Sequence, residues 1–217
     1  MSKKTKPYVT RQYMLSSDYE IFHYSNTDLA RVSLHHHDFY ECYLFISGDV
    51  TYLIEGKYYN LNTGDIVLIN SRELHQAIIN SNDIPYERIV LWINKEFLKT
   101  LSTSKTDLTI CFEDPNKQTI LRGNIEIYKN IKLILTKLLA LEEFKGVGSD
   151  VLYKAYISEI VVLLNNLSSK TNIKLDINVK ANILIDEVIE YINNNLDKEI
   201  TLDELSTQFY ISKYHLS

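Results

Sequence analysis

Hydrophobic and polar positions alternate through the first half of the chain. Between residues 35 and 45 the odd positions are His35, His37, Phe39, Glu41, Tyr43 and Phe45, which share one face of an uninterrupted extended backbone. Turn signals follow at short intervals, Ser47-Gly48-Asp49, Glu55-Gly56 and Asn62-Thr63-Gly64-Asp65, separating β-rich runs at 50–54, 57–61 and 66–69. Further strands are predicted at 76–79 and 86–93. Short strands with such regular turns predict a sandwich or small barrel over about residues 10–95.

The period then changes. Residues 125–144 and 151–167 are long, mostly apolar and free of Pro and Gly, as helices require. Gly146-Val147-Gly148 supplies a stop between them, and Ser149 or Asp150 an N-cap, so an antiparallel helical hairpin is expected. In the second helix Tyr153, Tyr156, Ile160, Leu163, Leu164 and Leu167 form a stripe that Ile157, Val161 and Val162 widen beyond one face. Such a helix buries two sides, one against its own barrel and one against a second copy in a homodimer, unless one chain covers both.

Residues 169–180, polar from Ser169-Lys170-Thr171-Asn172 onward, read as a linker. Beyond it Ile185, Val188, Ile189 and Ile192 recur at helical spacing. Thr201-Leu202-Asp203-Glu204 is a capping box, in which the Thr201 hydroxyl accepts the amide at Glu204 and the Glu204 carboxylate reaches back. The helix it starts runs into a turn at Phe209-Tyr210-Ile211, and Ser212 caps a helix containing Leu216. Helix, capped helix, turn, capped helix is the layout of a helix-turn-helix. The organisation predicted is therefore a barrel with an N-terminal arm (1–95), a helical dimerisation region (96–168), a linker (169–180) and an incomplete helix-turn-helix domain (181–217).

Composition narrows the classes. With 217 residues, 45% hydrophobic and 24% charged, the chain is an ordinary folded protein with enough length for a proper core. A net charge of −5 excludes a broadly basic nucleic-acid-binding surface. From Lys180 to Ser217 three basic side chains stand against seven acidic ones, so this segment alone is expected to bind DNA poorly. Cys42 and Cys111 fit no disulfide framework or zinc pattern and read as buried thiols. No secretory signal or membrane-length apolar run is visible, which points to a soluble cytoplasmic protein without membrane contact.

The chemistry concentrates in the barrel. His35, His37, Glu41 and, much later, His75 form a donor set suited to a divalent transition metal. Three readings stay open: a metal centre, a metal-free ligand pocket lined by these side chains with Tyr43, or a filled core. His36 has the opposite parity and is expected at the surface, while His23 and His215 have no evident partners. The chain holds 16 Tyr, and those near the histidines could stack on a sugar face while their hydroxyls meet polar groups.

The spacing of His35-x-His37-x3-Glu41-x6-Gly48, followed by Gly64 and His75, resembles the two signature motifs of the cupin superfamily, whose small β-barrels hold a metal or small molecule. Leu29, Asn70, Arg72 and Ile79 stand where those motifs have Gly, Pro, Gly and Asn. Together with His37-Asp38-Phe39-Tyr40-Glu41, the run Ile200-Thr201-Leu202-Asp203-Glu204-Leu205 and the segment Ile211-Ser212-Lys213-Tyr214-His215-Leu216-Ser217 extend the resemblance to the AraC/XylS family of bacterial transcription regulators.

That resemblance implies an α+β protein: a cupin-like jelly-roll barrel, a helical hairpin, and the start of a DNA-binding domain that in the family continues further. It implies ligand-responsive regulation, with an effector in the barrel and no catalysis, and DNA contact through Ser212, Lys213 and Tyr214 in a longer form of the chain. The basic arm from Lys3 to Arg11 is placed to close over the effector. The rival from another class is a metal-dependent cupin dioxygenase or isomerase using the same four donors.

Overall fold

The structure, a computed structural model, describes residues 11–29, 32–123, 125–144, 146–170, 191–192, 195 and 200–209. In chain order its elements are β1 (Tyr19–Asn26), β2 (Tyr40–Ser47), β3 (Asp49–Ile54), β4 (Lys57–Asn60), β5 (Ile66–Ile69), β6 (His75–Ser81) and β7 (Tyr86–Ile93), then α1 (Lys95–Leu101), α2 (Ile110–Glu113), β8 (Ile120–Leu121), α3 (Ile125–Leu141), α4 (Ser149–Lys170) and α5 (Leu202–Phe209). The strands form a five-stranded sheet in the order β1-β7-β2-β5-β8 and a three-stranded sheet in the order β4-β3-β6. The architecture is α+β, a cupin-like pair of antiparallel sheets followed by helices.

Parity along the strands decides what each sheet face does. On β2 the residues Tyr43 and Phe45 point into the barrel, where they meet Tyr24 of β1, Val67 and Ile69 of β5, Val90 and Trp92 of β7 and Tyr52 and Ala77 of the other sheet. Their neighbours Tyr40, Cys42 and Leu44 join Ile21, Leu68, Ile89 and Leu91 in a second core under α3 and α4. Ile131, Ile134, Leu135 and Leu138 of α3 and Ile157, Ile160, Val161 and Leu164 of α4 fill that core. Both faces of β2 are thus apolar, and its first six residues are all buried. Fully burying one such aliphatic or aromatic side chain contributes roughly 1.5–3 kcal/mol, so this layer holds helices and barrel as one unit.

The extended run predicted from 35 to 45 is broken. His35 pairs through its backbone with His75 of β6, with N–O distances of 3.1 and 2.9 Å, whereas Tyr40 onward pairs with β5 and β7. Residues 36–39 carry the chain from one sheet to the other, and continuous pleating cannot span that crossing. The helical hairpin also ends differently from its pattern. α3 stops at Leu141, and Glu142, Glu143 and Phe144 close three-residue turns on Leu139, Ala140 and Leu141. Ser149 opens α4 as a helical residue, and it is the Gly148 carbonyl that accepts from Val151 and Leu152. The capping box is half made: the Glu204 amide donates to the Thr201 hydroxyl at 3.2 Å, but the Glu204 carboxylate accepts from the Tyr191 hydroxyl at 2.6 Å. Ser169 and Lys170, expected to begin the linker, instead end α4. The rest of the linker, the arm before Arg11, His215 and the residues named for DNA contact, Ser212, Lys213 and Tyr214, lie outside the described residues.

The motif positions explain themselves in the turns. Gly64 has φ of 94°, and a Cβ there would lie 3.3 Å from the Tyr128 ring of α3. Arg72, where the cupin motif has Gly, takes φ of 71° and spends its amide on the His37 carbonyl at 2.7 Å. A left-handed non-Gly residue costs ~1–2 kcal/mol, part of which glycine returns through the flexibility of the unfolded chain. Arg72→Gly is therefore expected to stabilise the protein by about 0.5–1 kcal/mol in urea denaturation; a loss of stability would show that the Arg72 side chain contributes more than its backbone costs.

Candidate functional site

Three elements deliver the site. The crossing segment brings His35 and His37, β2 brings Glu41, and β6 begins with His75. Ligand atoms of His37, Glu41 and His75 all lie within 4.8 Å of one another, and all three residues are buried. His35 stands beside this trio, its ring centroid 4.3 Å from that of His75 and 6.2 Å from that of His37. It is half-buried and is not one of the three converging residues, so the donor set expected from the sequence contracts from four to three with His35 adjacent.

Each imidazole is oriented by the main chain. The Nδ1 atoms of His35, His37 and His75 lie 2.8, 2.9 and 2.8 Å from the carbonyl oxygens of Ser33, Phe39 and Glu73. A carbonyl only accepts, so each Nδ1 carries the proton, and in the neutral ring each Nε2 is left with a lone pair. The Nε2 atoms of His37 and His75 are buried and have no hydrogen-bond partner. That of His37 lies 3.6 Å from a Glu41 carboxylate oxygen. Glu41 in turn accepts from the Trp92 indole at 2.7 Å and faces the Tyr52 hydroxyl at 3.5 Å.

Electrostatics follow from this packing. Burial pushes His75 down, and the neighbouring His37 and His35 add to the effect, bringing it to about 3. His35 is also lowered, chiefly by burial. Burial alone would raise the Glu41 carboxyl, but contact with His37 and the nearby imidazoles outweigh it and hold it down at about 2. At neutral pH the site thus presents a carboxylate and a neutral His75 whose bare nitrogen points inward. The buried Nε2 atoms of His37 and His75 converge with the Glu41 carboxylate, a donor set that a cation at their centre would satisfy. The residues present fit a divalent transition metal bound through His37 Nε2, His75 Nε2 and Glu41, and backbone-anchored Nδ1 groups are the usual outer support of such ligands.

Of the trio Glu41 lines a small cavity of about 40 Å³, together with His35, Arg11, Tyr43, Tyr52, Arg88 and Trp92 among others. Tyr43, expected on the histidine face, is there, but its hydroxyl donates to that of Tyr86 at 2.6 Å. Arg11 pairs with Glu20 and lies 5.3 Å from the Trp92 ring centre. His36 is exposed as expected, and His23 has a partner after all: Glu87, at 2.8 Å across β1 and β7. Sequence reasoning missed Arg88 and Tyr24 in the cavity wall. The signal for Arg88 was present, since Tyr86, Arg88, Val90 and Trp92 alternate along β7 in the same way as the β2 residues.

Residues 19–160 match the family model described as AraC-like ligand binding domain. The chain belongs to that family. As an AraC-like ligand-binding chain it is a ligand-responsive regulator, and the span matched runs from β1 through most of α4. Among solved structures it is similar to apo ToxT K231A from Vibrio cholerae strain SCE256, with 12% identity, 93% of this chain and 73% of that chain covered and a TM-score of 0.49. A cupin protein from Bacteroides fragilis shows 21% identity, coverage of 49% and 96% and a TM-score of 0.35. DMSP lyase DddQ from Ruegeria pomeroyi shows 23% identity, coverage of 37% and 40% and a TM-score of 0.33. Among curated proteins none matches. Among the described residues no helix is long and apolar enough to cross a membrane.

Proposed function

We propose that this AraC-like domain senses a small molecule beside a divalent transition metal held by His37, Glu41 and His75, with His35 and Tyr43 completing the wall. The observation that carries this reading is the pair of buried, partnerless Nε2 atoms facing an ionised carboxylate. When bound, the metal supplies a Lewis-acidic anchor for a donor atom of the effector. The chain's own residues do the rest: Trp92 orients Glu41, three main-chain carbonyls fix the imidazoles, and Arg11 covers the cavity from the arm.

In this reading residues 1–95 sense, 96–168 dimerise, 169–180 link and 181–217 begin a helix-turn-helix domain that meets DNA through Ser212, Lys213 and Tyr214. The homodimer is supported by apolar side chains left at the surface of the hairpin, among them Leu133, Val151, Leu152 and Val162. The protein works in the cytoplasm and carries out no reaction. A sugar, suggested by the many tyrosines, is the alternative effector considered from sequence.

The test is footprinting of DNA flanking the gene by the protein, with and without zinc and candidate effectors. Protection that changes with effector is expected. Absence of protection under every condition would refute the regulator, and substrate turnover by the metal-loaded chain would favour the dioxygenase or isomerase instead.

A further inference from the structure

We propose that a second ligand site lies outside the barrel, between the 70–73 turn, the start of β4 and the segment that joins α2 to β8, and that it takes a small zwitterion, an α-amino acid or a dipeptide. This site is separate from the effector cavity and goes beyond the sensor reading. The first observation is space. The cavity there measures about 400 Å³, against about 40 Å³ beside Glu41, and falls in the roughly 300–1,000 Å³ range of pockets that enclose small organic ligands. Its walls are fixed from behind. The Arg72 amide donates to the His37 carbonyl at 2.7 Å, and the Glu73 carbonyl lies 2.8 Å from His75 Nδ1. Lys117, whose side chain is only 7% exposed, ties the facing segment to this turn by donating to the Glu73 carboxylate at 3.0 Å and the Leu68 carbonyl at 2.8 Å. A pocket whose walls are already held loses little ordering entropy when it is filled.

The second observation is Arg72 itself. Its φ of 71° is costly for a residue with a Cβ, and the bond to His37 is made by the backbone, which glycine would make equally well. The guanidinium lines the cavity, is exposed, and forms no hydrogen bond or ion pair among the described residues. Backbone strain of this kind gathers at ligand clamps, and here the side chain it carries is left for an occupant.

The third is the arrangement of charge. Lys57, at the start of β4, is likewise exposed and without an ion pair among the described residues. From the α2 side comes Asp114, whose carboxylate accepts from the Asn116 amide at 2.8 Å and meets no cation among the described residues. The other charged groups of the wall have partners: Glu73 holds Lys117, Glu55 accepts from the Leu74 amide at 2.7 Å, and Glu113 accepts from the Tyr40 hydroxyl and lies 3.5 Å from Lys95. Arg72 and Lys57 therefore ask for a carboxylate and Asp114 for an ammonium, so a plain anion or a plain cation leaves one end unmatched and a zwitterion matches both. Phe112, Pro115 and Ile54 add apolar surface to the same cavity. That surface supplies much of the affinity, because exposed charge pairs are screened by water and salt and serve chiefly to select.

The experiment is calorimetric titration of the full chain in EDTA, so that no metal takes part, with leucine and alanyl-leucine as probes. N-acetyl-leucine, which lacks the ammonium, and leucinamide, which lacks the carboxylate, are the controls. At least one probe is expected to bind, and both controls to bind at least about fivefold more weakly than leucine or the dipeptide. Arg72→Gly and Asp114→Asn should each weaken the probe about fivefold, and together about twentyfold. Arg72→Gly keeps the amide that His37 accepts from and is expected to be the more stable protein, so weaker binding there is not a sign of unfolding. Asp114→Asn keeps an oxygen for the Asn116 amide. Silence of both probes, a control that binds as tightly as the probe, or an unchanged affinity in either variant overturns the proposal. None of these outcomes touches the sensor reading, which footprinting tests separately.

Discussion

Replacing His75 by alanine is expected to lower the affinity for cobalt or zinc at least about a hundredfold, more than the 10–100-fold seen when an outer-shell partner is removed. His75 Nε2 is one of the three converging donor positions, and the adjacent His35 is not among them. Dimerisation should be unchanged, because β6 belongs to the three-stranded sheet while α3 and α4 share a core with the five-stranded one. The measurement is cobalt titration followed by absorbance, with sedimentation for the oligomeric state. His23→Ala, which removes a histidine paired with Glu87, serves as the control that leaves metal affinity intact. Equal loss of metal binding and dimer in His75→Ala would make the residue structural.

The second large effect is acid sensitivity of the metal-stripped protein. His75 is held at about 3 in the fold against an ordinary 6.5, so below 6.5 the unfolded chain takes up the proton that the folded one refuses. Stability is therefore fully present above 6.5 and falls as the pH drops towards 3, by up to about 1.4 kcal/mol per pH unit from this one group. Glu41, held at about 2 against an ordinary 4.5, adds a second decline of the same sign below 4.5. Urea titrations in EDTA at several pH values between about 7.5 and 4.5 measure this slope. His75→Asn keeps a donor for the Glu73 carbonyl but has no proton to gain, and it should flatten the first decline. A wild-type slope of zero between 6.5 and 4.5 would refute the buried neutral imidazole.

Much of this fold was legible because local signals agreed. Gly48, Gly56 and Gly64 each take positive φ at turns that separate β-rich runs, so the strands from β3 to β5 follow directly from the sequence. The hairpin was legible from two long apolar segments around Gly148. β1 was not, because Glu20 and His23 interrupt its apolar pattern and find their partners, Arg11 and Glu87, only once the chain is folded. α1 depends on Asn94, whose side chain accepts from the amides of Glu96 and Phe97, a cap hidden next to a strand end.

The site divides along the same line. His37, Glu41 and His75 could be read because donor type and spacing are written in the chain. The backbone bridge that sets His35 beside His75 could not, since it joins residues forty positions apart. Nor could the tyrosines be sorted in advance into those facing a ligand and those satisfying one another.

The central strand of the large sheet has one further consequence. Since β2 presents Glu41, Tyr43 and Phe45 to the barrel interior and Tyr40, Cys42 and Leu44 to the helices, inserting or deleting a single residue there would exchange the two sets at once. Length variation among descendants of this gene should therefore be confined to places such as the Ser81–Asp83 turn, and the stretch from Tyr40 to Phe45 should tolerate changes of residue but not of spacing.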